Sequence, residues 1–167
     1  MRKQLTQLRT EVDRLMHICK GVGVDFAANY LGDVSGIGVD QLVAFLHDPK
    51  AEVRQAAFAL LEDRQVYSNE ILKIAEEILL SDTDQLVRVS AFQYLGKRFD
   101  GTGSDYYSRL YAKIVSDDTQ SAPVRLAAYQ SLIYLRGLSV DWMPAVWELQ
   151  FPDDVDWSFV KQCSTGY

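Results

Sequence analysis

The sequence predicts an all-α fold, an α-α superhelix of about three helical hairpins closed by N- and C-terminal capping helices. Three observations predict it. The string "VRQAAF" at 53–58 returns as "VRVSAF" at 87–92 and as "VRLAAY" at 124–129. Its arginines, Arg54, Arg88 and Arg125, are spaced 34 and 37 residues apart, a period that belongs to stacked helical hairpins. An amphipathic stretch precedes each copy: "VDQLVAFLHD", "NEILKIAEEILLSD" and "DYYSRLYAKIVSDD".

Taken in order, residues 2–19 read as a helix with Leu5, Leu8, Val12, Leu15 and Met16 on one stripe, followed by a short helix at 24–33. Residues 1–37 are assigned as the N-terminal cap. "GVGV" at 21–24 is no phosphate loop, because no Lys-Ser/Thr follows and no strand precedes it. The first helices of the three hairpins are expected at 39–47, 68–80 and 103–115. The second helices are expected at 50–64, 84–98 and 121–136. Asp48 with Pro49 supplies an N-cap and a first-turn proline, and Ser81-Asp82 and Ser121 with Pro123 play similar parts. The three repeats fill 38–137, and 138–167 forms the C-terminal cap of a single domain spanning 1–167.

An acidic residue stands before each arginine: Asp48 and Asp82 by six positions, Asp118 by seven. Leu61, Leu95 and Leu132 each follow by seven. With Asp48-Pro49, Val53-Arg54, Ala56-Ala57, Leu61 and their echoes, residues 38–137 resemble the HEAT-repeat family, in its short bacterial HEAT-like form. Gly96 after Leu95 fits the family pattern; Glu62 and Ile133 depart from it. The tail, with "DVDWSFV", is similar to that of small stand-alone bacterial HEAT proteins. The resemblance implies a structural ladder between neighbouring repeats made by Asp48, Arg54, Asp82, Arg88, Asp118 and Arg125. An arginine beside a core can lay its methylenes on apolar neighbours and aim its guanidinium at carboxylates and turn carbonyls.

Composition narrows the function classes. Hydrophobic residues make up 48% of 167, enough for a sizeable core. The net charge is -6, with +3 on residues 1–20 and so -9 on the rest. An acidic body argues against a nucleic-acid groove, which needs clustered Lys and Arg. The start is too polar for a signal peptide and no apolar run reaches the ~20 residues of a membrane span, so a cytoplasmic monomer without membrane contact is expected. Cys19 and Cys163 fit no metal spacing and read as free thiols. His17 and Cys19 point to different sides of a helix, and His47 ends one, where the dipole suits it. No catalytic residues, metal site or cofactor is assigned. Asp117-Asp118 and Asp153-Asp154 read as caps and turns, and Glu76-Glu77 as helix surface.

Projecting the second helices at about 100° per residue places Gln55, Ala59 and Glu62 outward, then Val89, Gln93 and Gly96, then Leu126, Gln130 and Ile133. This face turns apolar toward the C-terminus. Residues 139–163 hold all three tryptophans, Trp142, Trp147 and Trp157, and are expected to cover its end around Leu126 and Ile133, since terminal repeats need a cap. The open remainder, Gln55, Glu62, Val89, Gln93 and Lys97, suits a protein or peptide partner. Tyr106, Tyr107 and Tyr111 are placed between repeats. The function expected is a non-catalytic interaction module. The alternatives are an immunity or antitoxin-like protein that occludes a toxin and, as a resemblance alone, an enzyme of the phycobilin-lyase kind.

Overall fold

The structure is a computed structural model and describes residues 23–138 and 149–165. The helix expected at 2–19, with His17 and Cys19, lies outside the described residues, as do Trp142 and Trp147. Every regular element among the described residues is a helix. A first helix, α1, covers 23–31. It is followed by α2 (Val39–Phe45), α3 (Ala51–Asp63), α4 (Asn69–Ser81), α5 (Gln85–Arg98), α6 (Asp105–Ser116), α7 (Ala122–Leu135) and α8 (Trp157–Thr165). From α2 to α7 the helix ends fall within two residues of those expected from the sequence. None is long and apolar enough to cross a membrane.

The chain divides into two compact units, one ending at Val66 and one starting at Tyr67. In the first, α2 packs on α3, whose Ala56, Ala57, Phe58, Leu60 and Leu61 are buried. Arg64, at the end of α3, donates to the carbonyls of Ile37 at 2.5 Å and Val34 at 2.6 Å, so it holds the loop that leads into α2. Charge-assisted bonds to carbonyls that have no helical partner are strong local ties. Behind it, Gln65 takes a left-handed φ of 55°. The Val66 amide donates to Leu61 O and the Gln65 amide to Glu62 O, the two bonds that close an α-helix C-terminus.

The second unit contains two hairpins, α4–α5 and α6–α7, layered helix on helix as in an α-α repeat. The α5 helix packs on α7, α6 on α7, α4 on α5 and α8 on α6. The hairpins start on defined caps: Ser68 Oγ accepts from Ile71 N, and Asp84 Oδ1 accepts from Leu86 N and Val87 N. The α5–α7 crossing is close because Gly96 is buried there. A Cβ at that position would stand 3.0 Å from Ser131 Oγ and 3.4 Å from Ser131 Cβ. Ser131 is itself buried and donates to Phe92 O at 3.0 Å, across the two helices. Gly96 therefore faces the neighbouring helix rather than solvent, and Ile133 is wholly buried as well. The 100° projection places both outward; it gives a direction but not the helix that stands there.

The loop between α5 and α6 is tied to α7. Gly101 N donates to Tyr134 O at 2.9 Å and Gly103 N to Leu135 O at 2.8 Å. Those carbonyls belong to the last turn of α7; Tyr134 O also accepts from Gly137 N at 2.9 Å, while Leu135 O has Gly103 as its backbone donor. Both glycines have positive φ, 67° and 62°, which L side chains adopt at a cost.

Candidate partner-binding site

Each of the three arginines reaches back to carbonyls that precede its own helix. Arg54 Nη1 donates to Asp48 O at 2.8 Å and Pro49 O at 3.2 Å. Arg88 Nε donates to Leu79 O at 2.8 Å, and Arg125 Nε to Val115 O at 2.8 Å. Leu79 and Val115 sit in the last turns of α4 and α6, whose carbonyls have no helical donor. Burial pushes the Arg88 guanidinium down from its ordinary value, and Asp82 and Asp117 oppose that shift.

The aspartates bend the chain before the second helix. Asp48 Oδ1 accepts from Lys50 N and Asp82 Oδ1 from Asp84 N, both at 2.8 Å. The N-caps are accordingly Lys50 and Asp84, two residues beyond the aspartates assigned that part from the sequence. In the third hairpin the equivalent turn is made by Asp117, whose Oδ1 accepts from Thr119 N at 3.0 Å and from Thr119 Oγ1 at 2.6 Å. The Thr119 hydroxyl, with Gln120, holds the Asp117 carboxyl down at about 2. Asp118 has another part: its side chain is 92% exposed and pairs at 3.0 Å with Arg125, which is 14% exposed. Adjacent aspartates are interchangeable in a spacing count, and here the turn aspartate stands four residues before the N-cap, Ser121, instead of two.

These contacts give Arg88 a structural role that can be measured. Arg88→Ala removes a charge-assisted donor from the end of α4 and is expected to cost about 1–3 kcal/mol. A shifted denaturant midpoint is the expected result. An unchanged midpoint with partner binding lost would make Arg88 a binding residue instead.

The residues expected to meet a partner fall on both units. Gln55 and Glu62 are half-buried on α3 in the first unit. Val89, Gln93 and Lys97 lie on α5 in the second, Val89 half-buried and the other two exposed. Leu86, one turn before Val89, is 53% exposed, and Leu126 and Gln130 on α7 are half-buried. Leu86, Val89, Gln93 and Lys97 thus form one stripe along α5, apolar at its start and cationic at its end.

The described tail does not lie along this stripe. Its helix α8 packs on α6, burying Val160 and Cys163. It reaches α7 through Tyr129, whose hydroxyl accepts from Asp156 N at 3.0 Å and whose ring meets Phe159 edge-on at 6.4 Å. Arg125 also stands over the Phe151 ring, 4.7 Å from its centroid. Trp157 remains 43% exposed, 6.3 Å from the Phe151 ring.

A polar group that sequence reasoning missed joins α4 to α6. Tyr106 Oη donates to Glu76 Oε1, and Tyr107 Oη donates to Glu76 Oε2 at 3.1 Å. Glu76 is therefore not plain helix surface; its place among the isoleucines and leucines of α4 was the available signal. The hydrogen bond to Glu76 pushes the Tyr106 phenol up, and burial first, then Glu76, does the same to Tyr107. Behind them, the hydroxyls of Tyr111 and Ser108 are buried without a protein partner. Among the described residues no group of His, Cys, Asp and Glu is arranged to hold a metal ion. Compared with protein-family models, curated proteins and solved structures, the chain matches none.

Proposed function

We propose that the chain is a short HEAT-like repeat protein acting as a non-catalytic adaptor, and that a polypeptide docks on the outer face of its second helices. The repeat reading is supported by three aspartate turns at Asp48, Asp82 and Asp117 and by three arginines that each tie down the chain just before their own helix. The docking reading rests on one observation, the stripe of Leu86, Val89, Gln93 and Lys97 on α5, exposed apart from the half-buried Val89. A large exposed leucine next to half-buried apolar side chains gains from being covered. Gln93, exposed on the same stripe, supplies a donor for a polypeptide's carbonyls.

A photo-crosslinking side chain in place of Gln93, in cells that make the protein naturally, tests this. One discrete protein adduct is expected, and Leu86→Glu should abolish it while leaving the melting temperature unchanged. A crosslinker in place of Lys113, exposed on α6, serves as the control. An adduct formed only at Lys113, or none at Gln93, would overturn the proposal.

A further inference from the structure

We infer that Glu76, Tyr106 and Tyr107 form a second recognition site, on the α4–α6 side of the second unit, for a basic side chain presented by a polypeptide. Glu76 is half-buried, yet its carboxylate is met only by two neutral phenols, and no cation pairs with it among the described residues. Lys73 and Arg109, each about one turn away along its own helix, are exposed and make no ion pair with it. A carboxylate drawn partly out of water without a counter-charge attracts any cation that reaches it.

The rings beside it favour an organic cation. Tyr106 and Tyr107 stand nearly edge-on, with planes at 75° and centroids 5.1 Å apart, and both hydroxyls converge on the carboxylate. Tyr106 is 54% exposed, so its ring is open to a visitor. The same aromatic group already takes a cation at its far end: Arg98 lies 5.6 Å from the Phe99 centroid, and Phe99 packs on Tyr107 at 4.5 Å. An ammonium or guanidinium over Tyr106 would meet a π face and the Glu76 charge together. The site is shallow, so it suits a side chain held in place by the rest of a polypeptide better than a free amine.

The test is nuclear magnetic resonance titration of the intact chain with N-acetyl-lysine methylamide and N-acetyl-arginine methylamide. N-acetyl-norleucine methylamide is the uncharged control. Saturable shifts at Tyr106 and Glu76 are expected with the two cations and not with norleucine. Glu76→Gln should weaken them by about twofold to fivefold, since the ion pair is lost. Tyr106→Phe should keep them, because the ring rather than the hydroxyl receives the cation, and Tyr106→Leu should remove them. Should Glu76→Gln disturb the fold, the exposed Tyr106 pair of variants decides alone. Equal shifts with norleucine, the absence of saturation, or undiminished binding in Tyr106→Leu would overturn the site.

Discussion

A chain ended after Gly137 is expected to lose most of its stability. The tail buries Leu149, Val155, Val160 and Cys163, and α8 covers one side of α6. Each large apolar side chain is worth about 1.5–3 kcal/mol when fully buried, so the total is on the order of 5 kcal/mol. Tyr129 would also lose the Asp156 amide and the Phe159 ring. A loss of this size rivals the whole stability of a small domain, about 5–15 kcal/mol. The melting temperature should fall by more than about 10 °C, and α6 should bind a hydrophobic dye. An unchanged melting temperature without dye binding would mean that α8 is dispensable and that its face of α6 tolerates water.

Gly96→Leu should be nearly as damaging, while Gly96→Ala should be mild. A methyl group at residue 96 meets Ser131 Oγ at 3.0 Å, the end of a side chain that can turn. Turning it sacrifices the bond to Phe92 O, but alanine favours the helix by about 1 kcal/mol over glycine, so the two effects nearly cancel. Leucine has no such escape. Its branch would have to occupy the space of α7, and overpacking plus the lost hydrogen bond should cost about 3 kcal/mol or more. Denaturant midpoints of the two variants check the order. A leucine variant as stable as the alanine one would show that α5 and α7 separate freely.

How much of the molecule is legible in its sequence depends on whether the signal is local. Helix ends are legible because proline, serine and aspartate mark them within a few residues, as Ser121 with Pro123 does at the start of α7. The all-α fold is legible because the arginine motif recurs. Spacing assigns the third turn to Asp118 because Asp117 stands next to it and only the Thr119 bonds tell them apart. Gly96 reads as outward because its partner, Ser131, lies 35 residues on, and nothing near Gly96 announces it. The Glu76 group escapes for the same reason. Its partners are 30 and 31 residues away, and a glutamate on an amphipathic helix ordinarily means solvent. The family resemblance implies arginines that bridge neighbouring repeats. The hydrogen bonds of Arg88 and Arg125 close on the helix just before each, while the charge of Asp117 in the following hairpin also acts on Arg88.

The glycine loop at 101–103 has a consequence for how the second unit opens. Its two amides are spent on Tyr134 and Leu135, so the last turn of α7 cannot fray without releasing the loop, and the loop cannot swing out without stranding the Leu135 carbonyl. A surface connection of this kind ordinarily exchanges its amide hydrogens with solvent freely. Here the exchange of Gly101 and Gly103 is governed by the opening of a helix that begins some twenty residues later in the chain. The two hairpins then behave as a single cooperative block, not as beads that melt one after another.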